Sequence, residues 1–184
     1  SQNFLRTSEF AKRNPKEFFL LMEKLSRSII QYLNMQIDAG VDCVQIFDSW
    51  ASICTPSNYH SLSLQWIKTI ITGLKKPIPV ILYAKGMNHC LKEQLKTGAQ
   101  ILSLDWTISL NNASAETNNQ CALQGNLDPE FLTTDLSTVK EEAERILKMS
   151  ESLKGYIFNL GHGMLPTAKI ECVETLIETV TNYR

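Results

Sequence analysis

The sequence has no run of 18 apolar residues, so it offers no segment long and apolar enough to cross a bilayer as a helix. It has no basic excess either: 18 Lys and Arg stand against 19 Asp and Glu, a formal net charge of −1. A chain whose main partner is nucleic acid would need a basic stripe for the phosphates. Neither GxGxxG nor GxxxxGK[ST] occurs, which removes the usual dinucleotide and P-loop fingerprints. The five cysteines (Cys43, Cys54, Cys90, Cys121 and Cys172) are an odd number with no CxxC and no HxC spacing. That argues against a disulfide framework and against a metal site with two ligands on one turn. Reduced thiols in a reducing compartment follow, which fits the cytoplasm, or the plastid stroma of a photosynthetic eukaryote. Ser1-Gln2-Asn3-Phe4 shows neither an initiator Met nor the charged and apolar regions of a signal peptide, and we expect an upstream segment to precede it.

What is present is ordinary globular material: 184 residues, 43% hydrophobic and 20% charged, a composition that suits a single domain. Asn14-Pro15 predicts a helix start, with Asn as cap and Pro in the first turn. The stripe Phe18, Leu21, Met22, Leu25, Ile29, Tyr32, Leu33, Ile37 continues that helix as a core-facing surface, and Gly40 ends it. Strands are predicted over 41–47, 80–84, 101–104, 121–124 and 156–160. Helices are predicted over about 57–74 and 88–97, from Asp128-Pro129 through Leu147, and around Val173 to Val180. The polar stretch 111–120 reads as a short helix or loop.

Five alternating strand–helix units with short connections predict a parallel sheet with right-handed crossovers. Polar groups gather just after the strands: Asp48-Ser49, Lys85, Asp105, Gln124 and Asn126, and Gly161-His162-Gly163. The carboxyl edge of such a sheet is where sites form. An eight-unit barrel takes about 250 residues, so five units give an incomplete barrel or an open sheet. The flank of 41–47 is expected to be an unprotected edge and to lower solubility.

Four segments stand out: Gln45-Ile46-Phe47-Asp48-Ser49-Trp50, Leu104-Asp105-Trp106-Thr107, Leu123-Gln124-Gly125-Asn126-Leu127-Asp128-Pro129 and Phe158-Asn159-Leu160-Gly161-His162-Gly163. In order and at comparable spacing, they resemble the uroporphyrinogen decarboxylase family. The resemblance covers essentially the whole chain but only the C-terminal part of the family's sequence. It implies an α/β fold of the (β/α)8 TIM-barrel family, here about five C-terminal units in a single partial domain over 1–184, and a homodimer in the intact protein. It implies a carboxy-lyase of porphyrin and haem biosynthesis that converts the acetate side chains of uroporphyrinogen III to methyls. The products are coproporphyrinogen III and CO2, with no metal or organic cofactor.

By position, Ser49 matches a Ser/Thr that binds a substrate carboxylate, and His162 matches the family's substrate-contacting histidine. A polyanionic substrate would favour the charged imidazolium at His162. The family's arginine loop, its aspartate for the pyrrole N–H groups and its tyrosine lie upstream of the aligned part and have no position here. This fragment is therefore expected to supply rim contacts and to be inactive alone. Ser52, Gln65-Trp66, Ser103, Ser109 and Lys169 depart from the family's usual residues.

The remaining candidates read as supporting groups. Asp48 and Asp105 are expected to be structural anchors rather than an acid/base pair. Asp128 is expected to cap the segment after Pro129, and Gln124 and Asn126 to point inward and bridge strands. Lys85 could attract a polyanion, and Trp50 and Trp106 are expected in the core. Two other readings stand beside this one: a cobalamin- or thiol-dependent methyltransferase of a related barrel, which would hold zinc through His and Cys, and a non-catalytic truncated relic.

Overall fold

The structure, a computed structural model, describes residues 4–183. Two helices, α1 (Leu5–Arg13) and α2 (Pro15–Asp38), lead into the first strand, β1 (Val44–Asp48). Pro15 opens α2 as expected, but the Asn14 side chain makes no cap bond. Gly40 closes the helix at φ 95°, where a side chain would be strained. β1 begins three residues later than predicted, because the first residue to join the ladder is Val44, opposite Val80.

The stretch after β1 is one helical run in three pieces: α3 (Pro56–Tyr59), a π turn (His60–Leu64) and α4 (Gln65–Thr72). It leads to β2 (Val80–Ala84), a 3₁₀ turn (Asn88–Cys90), α5 (Leu91–Leu95) and β3 (Ile101–Ser103). The ambiguous polar stretch forms α6 (Leu110–Glu116), capped by Ser109, whose hydroxyl accepts from the Asn112 N–H at 3.2 Å. β4 (Ala122–Leu127) runs three residues past its predicted end, since Gly125, Asn126 and Leu127 pair with Phe158, Asn159 and Leu160. Asp128-Pro129 opens only a 3₁₀ turn (Pro129–Thr133), and Asp135 caps the long α7 (Leu136–Ser150). β5 (Tyr156–Leu160) and α8 (Ile170–Asn182) complete the chain.

All four strand pairings are parallel, in the order β1-β2-β3-β4-β5. Because side chains alternate across a strand, the register sorts residues onto two faces. Leu82, Leu102, Leu123 and Leu127 join Leu110, Ala113, Val139, Ala143 and Ile146 in the main core, between sheet and helices. The other face carries Gln45 and Phe47, Ile81 and Tyr83, Ser103, Gln124 and Asn126, and Ile157 and Asn159.

That second face is concave. The Gln124 amide donates to Gln45 Oε1 at 3.3 Å from three strands away, and the Tyr83 phenol donates to Gly161 O at 3.1 Å beyond the end of β5. In a flat sheet three inter-strand steps of about 4.8 Å would hold the two glutamine backbones about 14 Å apart on parallel vectors. The sheet is therefore an arc of a parallel barrel, with β1 and β5 as its edges. The outer stripe of α2 does not reach the core. Leu33 and Ile37 are buried, whereas Leu21, Leu25, Ile29 and Tyr32, expected inside, face solvent.

Candidate active-site cavity

The carboxyl ends of β1, β2 and β5 enclose a cavity of about 350 Å³ lined by Gln45, Phe47, Ser49, Tyr83, Ser103 and residues 159–163. Ser49 and His162, more than a hundred residues apart in sequence, line this same cavity. Each arrives there by strand geometry: Ser49 follows β1, and His162 sits two residues beyond β5.

His162 is held at both ring nitrogens. Nδ1 lies 3.3 Å from the Tyr83 hydroxyl, and Nε2 lies 3.2 Å from Lys85 Nζ. The ring also stacks on Tyr83, with centroids 6.3 Å apart, and leans on Trp106 at 6.5 Å. Burial, with the nearby Asp105 charge adding to it, pushes the Tyr83 phenol up to about 12, so it stays protonated at neutral pH. Sequence reading treated Tyr83 as plain strand. Its signal was the two-residue period: Tyr83 and Lys85 share a face, as do Gln45, Phe47 and Ser49.

Both aspartates near the cavity are bonded to the scaffold, Asp105 through both oxygens and Asp48 through one. Asp105 is buried and accepts from Gly86 N at 2.9 Å, Asn88 Nδ2 at 2.6 Å, Thr107 N at 3.0 Å and Thr107 Oγ1 at 2.5 Å. It ties the ends of β2 and β3 together. Asp48 accepts from Ser63 Oγ at 2.5 Å, which pins the π turn to β1. Burial holds the Asp48 carboxyl above the ordinary range, and the Ser63 bond pulls it partly back. Gln124 donates to Ser103 Oγ at 3.0 Å as well as to Gln45, and Asn126 donates to Asp105 O at 3.0 Å and Ile108 O at 2.6 Å.

The expected placement of both tryptophans needs correcting. Trp50 and Trp106, assigned to the core, are 61% and 39% exposed. Trp50 lies against Phe4, and Trp106 forms a wall beside His162. The two glycines around His162 also differ. A Cβ on Gly161 would stand 2.7 Å from Trp106 N and 3.0 Å from its ring, whereas one on Gly163 would meet nothing within 4 Å. Gly161 is needed for close approach; Gly163 is not. Among the described residues no group of three or more His, Cys, Asp or Glu could hold a metal ion, and no helix is long and apolar enough to cross a membrane.

A parallel barrel arc with a cavity at the carboxyl ends of its strands defines a barrel-type α/β protein. The chain belongs to the uroporphyrinogen decarboxylase family, whose profile matches residues 1–183. It is 37% identical to uroporphyrinogen decarboxylase of Ruthia magnifica, over all of this chain and 54% of that protein. The figures are 38%, 100% and 50% for Protochlamydia amoebophila, and 39%, 98% and 52% for Saccharophagus degradans. The chain thus spans about half the length of the curated relatives it matches. Among solved structures, a methyltransferase from Methanosarcina mazei superposes with a TM-score of 0.78 at 21% identity, covering 94% of this chain and 52% of that one. That likeness concerns the fold.

Proposed function

We propose that this chain forms the substrate rim of a cofactor-independent uroporphyrinogen decarboxylase. The observation that carries the reading is the shared cavity: Ser49 and His162 line the same space, with Lys85 at hydrogen-bond distance from His162, in a member of this family. A hydroxyl and a cationic pair are suited to the carboxylates of a tetrapyrrole precursor.

The chemistry sets the remaining requirements. Loss of CO2 from a pyrrole acetate leaves electron density next to the ring. Prior protonation of the ring turns it into the electron sink, so the substrate performs the task a cofactor would otherwise perform. The protein must then stabilise a cationic pyrrole, grip the other carboxylates and deliver a proton to the new methyl. The cavity supplies grip. Its lining includes no carboxylate and no arginine, and the nearby Asp48 and Asp105 are committed to scaffold bonds.

The test is decarboxylation of uroporphyrinogen III by the native protein, read as coproporphyrinogen III and released CO2. Ser49→Ala is expected to raise KM about tenfold, the loss of one hydrogen bond to a charged group. Failure of the native protein to release CO2, with methyl transfer found in its place, would sink the reading.

A further inference from the structure

The bonds around His162 decide which group carries positive charge at this rim. The Tyr83 phenol has one hydrogen, and it points to Gly161 O, 3.1 Å away, which can only accept. Toward His162 Nδ1, 3.3 Å away, the phenol oxygen is left to accept, so Nδ1 carries a hydrogen. As an ammonium, Lys85 Nζ, 3.2 Å from Nε2, can only donate, so Nε2 accepts and the imidazole is neutral. The alternative, an imidazolium beside a neutral amine, would place the proton on the weaker base of the pair. Charging both would set two cations at hydrogen-bond distance.

We propose that Lys85, which lies 3.2 Å from the cavity-lining His162, is the carboxylate-binding cation of this site, and that His162 is its positioning residue, held as the neutral Nδ1–H tautomer by Tyr83. This rests on the reading of the cavity as a polycarboxylate site. The Lys85 ammonium gives one hydrogen to Nε2 and keeps two for a ligand. The groups facing the pair are Tyr83 from β2, Trp106 from the turn after β3, and Asp105, whose carboxylate is taken up by Gly86, Asn88 and Thr107. The phenol stays protonated with its hydrogen on Gly161 O, so the tautomer is fixed and the rim charge sits on Lys85.

Nitrogen NMR of the ligand-free chain with labelled histidine tests the pairing. At pH 7, His162 is expected with hydrogen on Nδ1 and a bare Nε2, and to keep that tautomer in Lys85→Met, where the Tyr83 constraint remains. An imidazolium, or an Nε2–H tautomer, in the unmodified chain overturns the proposal. Binding of uroporphyrin III and of benzenehexacarboxylate tests the role. Lys85→Met is expected to weaken both by about tenfold or more, Lys85→Arg to stay within about threefold, and His162→Gln, which keeps an acceptor, to lose less than His162→Ala. Unchanged affinity in Lys85→Met overturns the proposal. Lys85-dependent binding of benzenehexacarboxylate with no binding of uroporphyrin supports it while rejecting the tetrapyrrole reading.

Discussion

Asp105 and Asp48 show how a carboxylate can border a cavity without serving chemistry. Asp105 satisfies donors from three segments, and removing it strands several buried donors at once. Asp105→Ala is therefore expected to cost roughly 3 kcal/mol or more, read as a lowered urea midpoint with unchanged m-value. Asp48 gives a pH signature. Its folded-state pKa is raised by burial, so the folded chain holds this proton to higher pH than the unfolded chain does. Stability from this group is greatest when it is protonated and falls as pH rises from the model-compound value of 3.8 through the raised folded value. Asp48→Asn, which still accepts from Ser63, should flatten that part of the stability–pH curve; an unchanged slope would show that another group sets it. At this scale the sequence made Ser49 and His162 visible through their motifs. It did not make Tyr83 visible, because a tyrosine inside an apolar strand declares its role only when the fold brings β5's end to it.

Elements place these groups, and small residues decide how closely elements meet. The loop after β5 passes against the Trp106 backbone, where only Gly161 fits. Gly161→Ala is expected to lift the loop, costing about 1–3 kcal/mol as overpacking against backbone, and to change the His162 ring nitrogen shifts as its bonds to Tyr83 and Lys85 lengthen. Gly163→Ala, with open space around it, should stay within about 0.5 kcal/mol. The strand and helix periods were legible in the sequence because burial repeats on those periods. Boundaries were less so. β4 extends past Gln124 because β5 is there to pair with it, and the outer stripe of α2 stays exposed because no described element covers it.

Over the whole molecule, the arc leaves two apolar flanks. Phe47 on β1 is 66% exposed, α2 presents Leu21, Leu25 and Ile29, and an apolar hollow of about 360 Å³ lies between β5 and α8. Such surfaces associate. The chain is expected to show concentration-dependent self-association in sedimentation velocity. The pair Leu21→Lys and Leu25→Glu should reduce that association while changing unfolding free energy by less than about 1 kcal/mol, as exposed substitutions do. The cavity lining lacks the acid and arginines that ring protonation and full carboxylate binding require, so these 184 residues alone are expected to turn over uroporphyrinogen III negligibly. Coproporphyrinogen produced by the isolated chain at the native protein's rate would refute this.

The alternation of apolar runs and turn residues along the chain was enough to determine a parallel α/β arrangement, and four short motifs carried the resemblance to the family. Those properties depend on local period and on short motifs, which a linear string carries in full. Only the tertiary structure decided that the sheet bends far enough for β2 to reach the loop after β5. Curvature is a cumulative property of strand twist and side-chain packing, and it alone brings Tyr83, Lys85 and His162 into one hydrogen-bonded set.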